Sequence, residues 1–358
     1  MKKHIFNPGP CKLPQPVLEK VAKATLDLDG IGQSIMEVSH RGKEFTAIME
    51  NARNLLKELL GVPDGYTVLY LGGGASLQFA QIPMNYLRTK AAYLNTGTWA
   101  KKAIKEAKLA GTVEIVATSE DKNFSYIPKN YTIPADADYF HITSNNTIEG
   151  TEIFTDPDSP VPLIADMSSD ILSRPVDVSK YSLIYGGAQK NMGPAGVTFV
   201  IIRDDMLKRI TDRTVPVILR YDSQITEGSM YNTPPCVNVY TVLETLKWVK
   251  ENGGVRNMDA LAQARADLLY NAIDSSRIFT CPVVKEDRSR MNIVFVLKDA
   301  YKEHEEPFLK FVVSKGIVGI KGHRSVGGFR ASCYNALELE SVQVLVNAMK
   351  QYELENIK

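Results

Sequence analysis

Apolar residues at Phe45, Ile48, Met49, Ala52, Leu55, Leu56 and Leu59 recur at intervals of three and four, the spacing of a helix with one face turned to a core. Gly61-Val62-Pro63 ends that pattern, because glycine caps and proline cannot continue a helix. Thr67 to Leu71 then reads as a strand, Gly72-Gly73-Gly74 as a break, and 75–87 as a helix that Pro83 kinks. Short apolar runs near 91–95, 112–117, 139–143, 161–165, 182–185 and 196–202 predict further strands, with helices such as 98–109 between some of them. Alternation of this kind, from about residue 44 to residue 250, predicts an α/β domain with a mostly parallel sheet and crossover helices. After Asn252-Gly253-Gly254 the rhythm changes to a helix near 255–274, a strand at 291–297, a helix near 305–315, a Gly-rich hairpin around 316–334 and a last helix at 337–352. That reads as a smaller α+β domain, and no internal repeat or low-complexity tract interrupts either part.

Length agrees with two domains, since 358 residues exceed the size at which one core stops growing. Charge adds little: 42 basic against 41 acidic residues make no electrostatic case for a nucleic-acid or membrane partner. Pro8-Gly9-Pro10 interrupts the N-terminus before any run of signal length, and no stretch of eighteen apolar residues occurs. Cys11, Cys236, Cys281 and Cys333 lie far apart without CxxC spacing, which argues against a zinc site or a disulfide framework. The expectation is a soluble, cytoplasmic protein with reduced thiols and no metal site.

Candidate chemistry centres on Lys190 in Tyr185-Gly186-Gly187-Ala188-Gln189-Lys190-Asn191, about two dozen residues after Asp166, which closes the run Pro162-Leu163-Ile164-Ala165. Small neighbours let a flat ligand approach the lysine, and desolvation turns an ammonium into a nucleophilic amine. A carboxylate at the carboxyl end of a parallel strand sits where open α/β sheets place ligands, and it can pair with a protonated ring nitrogen. Together the two suggest pyridoxal phosphate, although a loop lysine is more often solvated and a strand-end aspartate more often a cap. The Gly72 to Ser76 turn offers backbone N–H groups at a helix start to a phosphate, or is simply a tight turn capped by Ser76. Trp99 can stack on a ring or pack in a core. Arg41 after His40, Arg324 after His323 and Arg330 after Gly327-Gly328-Phe329, each in a polar loop, suggest anion binding as well as surface charge.

These residues carry a resemblance that runs essentially end to end. FNPGP at 6–10, MEVSHRGKEF at 36–45, GGASLQF at 73–79, NNTIEGT at 145–151, ADMSSDILSRP at 165–175, GAQKNMGPAG at 187–196, MYNTPP at 230–235 and IKGHRSVGGFRAS at 320–332 resemble the phosphoserine aminotransferase family, in the fold-type I, class V group of pyridoxal phosphate enzymes. The resemblance implies a large cofactor-binding domain (16–254) with a mainly parallel seven-stranded sheet and a small α+β domain (1–15 and 255–358). It also implies a homodimer with active sites shared at the interface.

Residue by residue, it implies that Lys190 carries the cofactor as a Schiff base and then moves the proton, and that Asp166 keeps the pyridine nitrogen protonated. Trp99 stacks on the ring and Thr147 bonds near its phenolic oxygen; Ala75, Ser76 and Gln189 hold the phosphate, joined by Asn232 and Thr233 of the partner subunit. Arg330 takes the substrate α-carboxylate, while His40 and Arg41 from across the dimer, with His323 and Arg324, receive the distal carboxylate or phosphate. Some members have Gly-Arg where this chain has Ala75-Ser76, so an arginine is missing from that loop.

The implied reaction passes an amino group from L-glutamate to 3-phosphohydroxypyruvate, giving O-phospho-L-serine in serine biosynthesis. Some members also use a phosphorylated hydroxythreonine in vitamin B6 synthesis. Two class V alternatives are alanine–glyoxylate transamination, which gives no reason for so many anion-binding arginines, and cysteine desulfuration, which needs a mobile catalytic cysteine. A third, of a different class, is a non-catalytic phosphate-binding protein with no covalent cofactor.

Overall fold

The structure, a computed structural model, describes residues 2–357; Met1 and Lys358, the outermost residues of the expected small domain, lie outside them. The chain opens with a short strand, β1 (His4–Ile5), and helix α1 (Gln15–Leu26). Pro16 in its first turn supplies a pre-set φ where no N–H is needed. The next helix, α2 (Lys43–Leu60), buries Phe45, Ile48, Met49, Ala52, Leu56 and Leu60. It ends where Gly61 turns left-handed at φ 59° and donates to the carbonyls of Lys57 and Glu58.

From β2 (Tyr66–Leu71) the chain alternates through α3 (Gly74–Tyr86), β3 (Lys90–Asn95), α4 (Thr98–Ala110), β4 (Thr112–Thr118), β5 (Phe140–Thr143), the short pair β6 (Asn145–Asn146) and β7 (Thr151–Glu152), β8 (Leu163–Asp166), β9 (Leu183–Gly187) and β10 (Thr198–Arg203). Seven of these strands form one sheet in the order β2-β10-β9-β8-β5-β3-β4. All neighbours are parallel except β10, which runs antiparallel to both β2 and β9. The central strands are mostly apolar and, apart from Arg203 at the end of β10, buried throughout, as a sheet covered on both faces requires. Pairing sets Thr143 beside Asp166 and Asp166 beside Tyr185, so the carboxyl ends of β5, β8 and β9 open onto one crevice.

After α5 (Tyr221–Thr226), α6 (Cys236–Glu251) and α7 (Gly254–Ser275), a second layer is built from β11 (Phe279–Thr280), β12 (Asn292–Leu297), α8 (Glu305–Ser314), β13 (Ile317–Val318), β14 (Phe329–Ser332) and α9 (Leu339–Asn356). Its core gathers Phe279, Phe295, Phe308 and Phe329 in edge-to-face and tilted pairs, and Phe6 from the N-terminus joins them. The expected hairpin around 316–334 does not form as such. Strand β13 pairs with β1, β14 pairs with β12, and only a single bridge, Lys321 to Phe329, links the two arms. The glycines there serve close approach: a Cβ on Gly319, at φ 82°, would lie 2.0 Å from Asn7 Oδ1 of the N-terminal segment. No helix among the described residues is long and apolar enough to cross a membrane.

Beneath the crevice, Arg174 lies 3.8 Å from Glu152, 3.7 Å from Asp156 and 3.5 Å from Asp170. Glu152 accepts the Arg290 backbone N–H at 2.8 Å, which ties the sheet domain to the segment leading into β12. Burial first, and then the neighbouring Asp170, push the Glu152 carboxyl up to about 7. A carboxyl that binds its proton more tightly when folded favours the folded state below its unfolded pKa, near 4.3, and that contribution is lost as pH rises to about 7. Thermal melts at pH 5 and pH 8 should therefore find Glu152→Gln losing less stability than the wild type between those values. Equal losses would mean that Glu152 does not titrate in this window.

Candidate active site

Strand β9 leaves the sheet at Gly187 and turns tightly, so that Lys190 faces the crevice. Small residues are needed there. A Cβ on Gly186 would come within 2.6 Å of the Ser168 Cα and 2.7 Å of the Phe199 ring. Burial pulls the Lys190 amine below the ordinary lysine value, Asp166 and Asp170 push it back up, and Arg330 opposes them. Asp166 is buried at the end of β8, and burial raises its carboxyl while Lys190 and Ser168 lower it. Its Oδ1 accepts both the N–H of Ser168 at 2.9 Å and the Ser168 hydroxyl at 2.5 Å. No described residue donates to Oδ2, which leaves an acceptor for a ring N–H.

The N-terminal segment backs this turn. Cys11 donates its S–H to the Lys190 carbonyl at 2.7 Å and its N–H to the Gln189 carbonyl at 3.2 Å. Asn191, buried next to Lys190, donates to the carbonyls of Ser169 and Ile171 at 3.1 and 3.0 Å and accepts the Asn335 N–H at 3.0 Å.

A second line of contacts crosses the crevice. Trp99, in the first turn of α4, donates its indole N–H to Thr147 Oγ1 at 2.9 Å, and Arg330 donates to the Thr147 carbonyl at 2.7 Å. Among the described residues the buried Arg330 Nε has no hydrogen-bond partner. Glu149 caps α4 by accepting the N–H and hydroxyl of Thr98 at 2.8 and 2.6 Å. His323 lies near enough to Arg330 and Arg324 that their charges, after burial, lower its pKa. A cavity of about 1080 Å³ opens beside this line, bordered by Thr98, Lys102, Glu149, Ser325, Gly327 and Gly328.

Ala75 and the exposed Ser76 occupy the first turn of α3, after Gly73 and Gly74 at φ 91° and 71°. Ser76 makes no side-chain cap there, so the first N–H groups of the helix stay open to a ligand. Among the described residues no hydrogen bond or ion pair joins His40, Arg41, Asn232 or Thr233 to Lys190. Arg41, Asn232 and Thr233 are exposed, and Asn232 borders a small pocket with Gly72 and Gly73. The sequence reading missed Ser168, Asn191 and Glu149. Only their places inside the motifs ADMSSDILSRP, GAQKNMGPAG and NNTIEGT marked them. Among the described residues no group of three or more His, Cys, Asp or Glu could hold a metal ion.

The crevice, the strand-end carboxylate and the lysine turn are those of a pyridoxal phosphate transferase, and a family model described as aminotransferase class-V matches residues 4–345. The chain belongs to the class-V aminotransferases. It is 60% identical over 354 residues, 99% of each chain, to a phosphoserine aminotransferase of Phocaeicola vulgatus. Among solved structures, a phosphoserine aminotransferase from Bacillus circulans subsp. alkalophilus superposes with a TM-score of 0.96 at 46% identity, covering 99% of both chains. The phosphoserine aminotransferase from Trichomonas vaginalis, described as bound to pyridoxal phosphate, superposes at 0.94 with 41% identity, covering 98% of this chain and 100% of its own.

The packing of the lysine turn generates a contrast between two glycines. Gly186→Ala should cost about 1–3 kcal/mol through overpacking and displace Ser168 from Asp166, whereas Gly72→Ala, which meets nothing within 4 Å, should leave the melting temperature unchanged. Equal melting temperatures for the two variants would contradict the steric account.

Proposed function

We propose that the protein catalyses pyridoxal-phosphate-dependent transamination between L-glutamate and 3-phosphohydroxypyruvate, giving 2-oxoglutarate and O-phospho-L-serine, a step of serine biosynthesis. The observation that carries the reading is the opposition of Lys190 to Asp166 in a chain 60% identical to an enzyme of that activity. When bound, pyridoxal phosphate supplies an aldehyde that captures amino groups and a ring that withdraws electrons from the substrate carbon.

The protein's residues do the rest. Lys190, its ammonium disfavoured by burial, would supply the amine that holds the cofactor and the base that carries a proton to and from the substrate carbon. Asp166 holds a proton on the pyridine nitrogen through its free Oδ2. Trp99, fixed by Thr147, bounds the ring. Ala75, Ser76 and Gln189 take the cofactor phosphate, with Asn232 and Thr233 contributed across a homodimer.

Arg330 binds the α-carboxylate, and His40, Arg41, His323 and Arg324 receive the distal anion. The dimer is supported by the apolar residues beside the stranded ones: Met36 is 69% exposed and Tyr231 40%. Burial raises all four thiols, Cys11 and Cys333 to about 12, so none is the activated nucleophile that desulfuration needs. The free thiols and the biosynthetic role support a cytoplasmic enzyme.

A coupled assay with glutamate and 3-phosphohydroxypyruvate tests the reaction directly. The wild type should turn over, and Lys190→Ala should lose nearly all activity while keeping its fold. Near-normal turnover by Lys190→Ala would assign the chemistry to another lysine.

Specificity provides a second test. A pocket built for a distal anion leaves its cations unpaired when the substrate lacks one, so kcat/KM for phosphoserine should exceed that for serine by roughly 10⁴-fold. Arg41→Ala should narrow that ratio mainly by weakening phosphoserine, and should also weaken glutamate. Comparable use of serine and phosphoserine by the wild type would contradict the assignment.

A further inference from the structure

The helix that carries Trp99 is capped from outside itself. Gly97 stands at the N-cap of α4 and has no side chain to offer, whereas serine, threonine, aspartate or asparagine in that place would satisfy the first N–H groups locally. The acceptor comes instead from Glu149, 51 residues beyond Thr98, whose Oε1 takes the Thr98 N–H at 2.8 Å and the Thr98 hydroxyl at 2.6 Å. Glycine at 97 is what admits this carboxylate. A Cβ there would lie 2.6 Å from Glu149 Oε2 and 2.8 Å from Asn146 Oδ1.

Glu149 belongs to the same turn, 147–150 between β6 and β7, that holds the indole. Trp99 follows Thr98, so its backbone end is tied down by Glu149 while its Nε1–H is held by Thr147 Oγ1 at 2.9 Å. The turn is itself fixed from several sides. The Gly150 N–H bonds to the Asn146 carbonyl at 2.8 Å, and the Gly150 carbonyl accepts the Ser289 N–H at 2.8 Å. At φ 86° Gly150 backs onto β12, where a Cβ would lie 2.9 Å from Val294 Cγ2. Arg330 of β14 holds the Thr147 carbonyl at 2.7 Å.

We propose that Glu149 is a positioning residue for Trp99, and through it for the cofactor ring that Trp99 bounds. The inference rests on the reading of Trp99 given under the proposed function. A local cap would steady α4 and nothing more. A cap drawn from the turn that also holds the indole ties the tryptophan at both ends to one frame, so the ring cannot tilt without breaking a bond to Glu149 or to Thr147. Without Glu149 the first turn of α4 loses its only side-chain acceptor for the Thr98 N–H among the described residues. Trp99 then hangs from Thr147 alone, and cofactor binding has to order it first.

Two measurements on the cofactor-free protein and one on the loaded protein test this. Trp99 and Trp248 are the two tryptophans, so in a Trp248→Phe background the emission belongs to Trp99. There Glu149→Ala should open Trp99 to acrylamide quenching and raise the Kd for pyridoxal phosphate about tenfold, the scale of one lost cap. At saturating cofactor it should also reduce the circular dichroism that the bound ring acquires from a fixed orientation. Glu149→Gln, which keeps an acceptor for both donors, should recover most of all three. Thr98→Val removes one of the two bonds and leaves Glu149 in place; it should move the readings the same way but less, and it carries the test if Glu149→Ala does not fold. Either variant melting earlier with wild-type Kd and dichroism overturns the proposal and leaves Glu149 a cap alone. Failure of the wild type to bind pyridoxal phosphate would overturn the functional reading, and this inference with it.

Discussion

A desolvated ammonium and a buried carboxylate face each other at Lys190 and Asp166, and much of the surrounding structure keeps that opposition in place. Burial alone would neutralise both groups, since it lowers the lysine and raises the acid. Each instead counters the other's burial, and the two Ser168 hydrogen bonds favour the charged carboxylate further. The sheet supplies the geometry: β8 and β9 are parallel neighbours, so their carboxyl ends bring an acid and a lysine turn to one crevice. A pocket so arranged suits a flat, cationic-ring cofactor whose aldehyde requires an amine.

The second domain adds specificity to that chemistry. Arg330 sits on β14, and its contact with Thr147 crosses to the loop that also holds the Trp99 indole. Arg330 and Trp99 are thereby both referred to one residue, Thr147. Asn191 does likewise behind the lysine, bonding to the 169–171 turn on one side and to Asn335 on the other. The segment that follows β14 is therefore joined to the lysine turn through short, buried hydrogen bonds.

Much of this was legible in the sequence for local reasons. The strands are short apolar runs bounded by glycine or polar residues, and the α2 helix declares itself by its spacing and its glycine stop. Asp166 and Lys190 were visible because strand ends and small-residue turns are punctuated in sequence. Other features depend on partners far along the chain. Helix α1 was not predicted; Pro14 and Pro16 stand at its start, where proline fits. The hairpin around 316–334 was misread because β13 finds its partner at the N-terminus, more than three hundred residues away. Ser168, Asn191 and Glu149 could not be ranked above their neighbours, since their roles arise from contacts made only after folding.

The central claim is that Lys190 is the residue that joins the cofactor. Incubating the purified protein with pyridoxal phosphate, reducing it with borohydride and mapping the labelled peptide by mass spectrometry tests that most directly. The account predicts one phosphopyridoxyl group on the peptide containing Gln189-Lys190-Asn191, and loss of the label in Asp166→Asn only to the extent that binding weakens. A stoichiometric label on a different lysine, or no label at saturating cofactor, would contradict it.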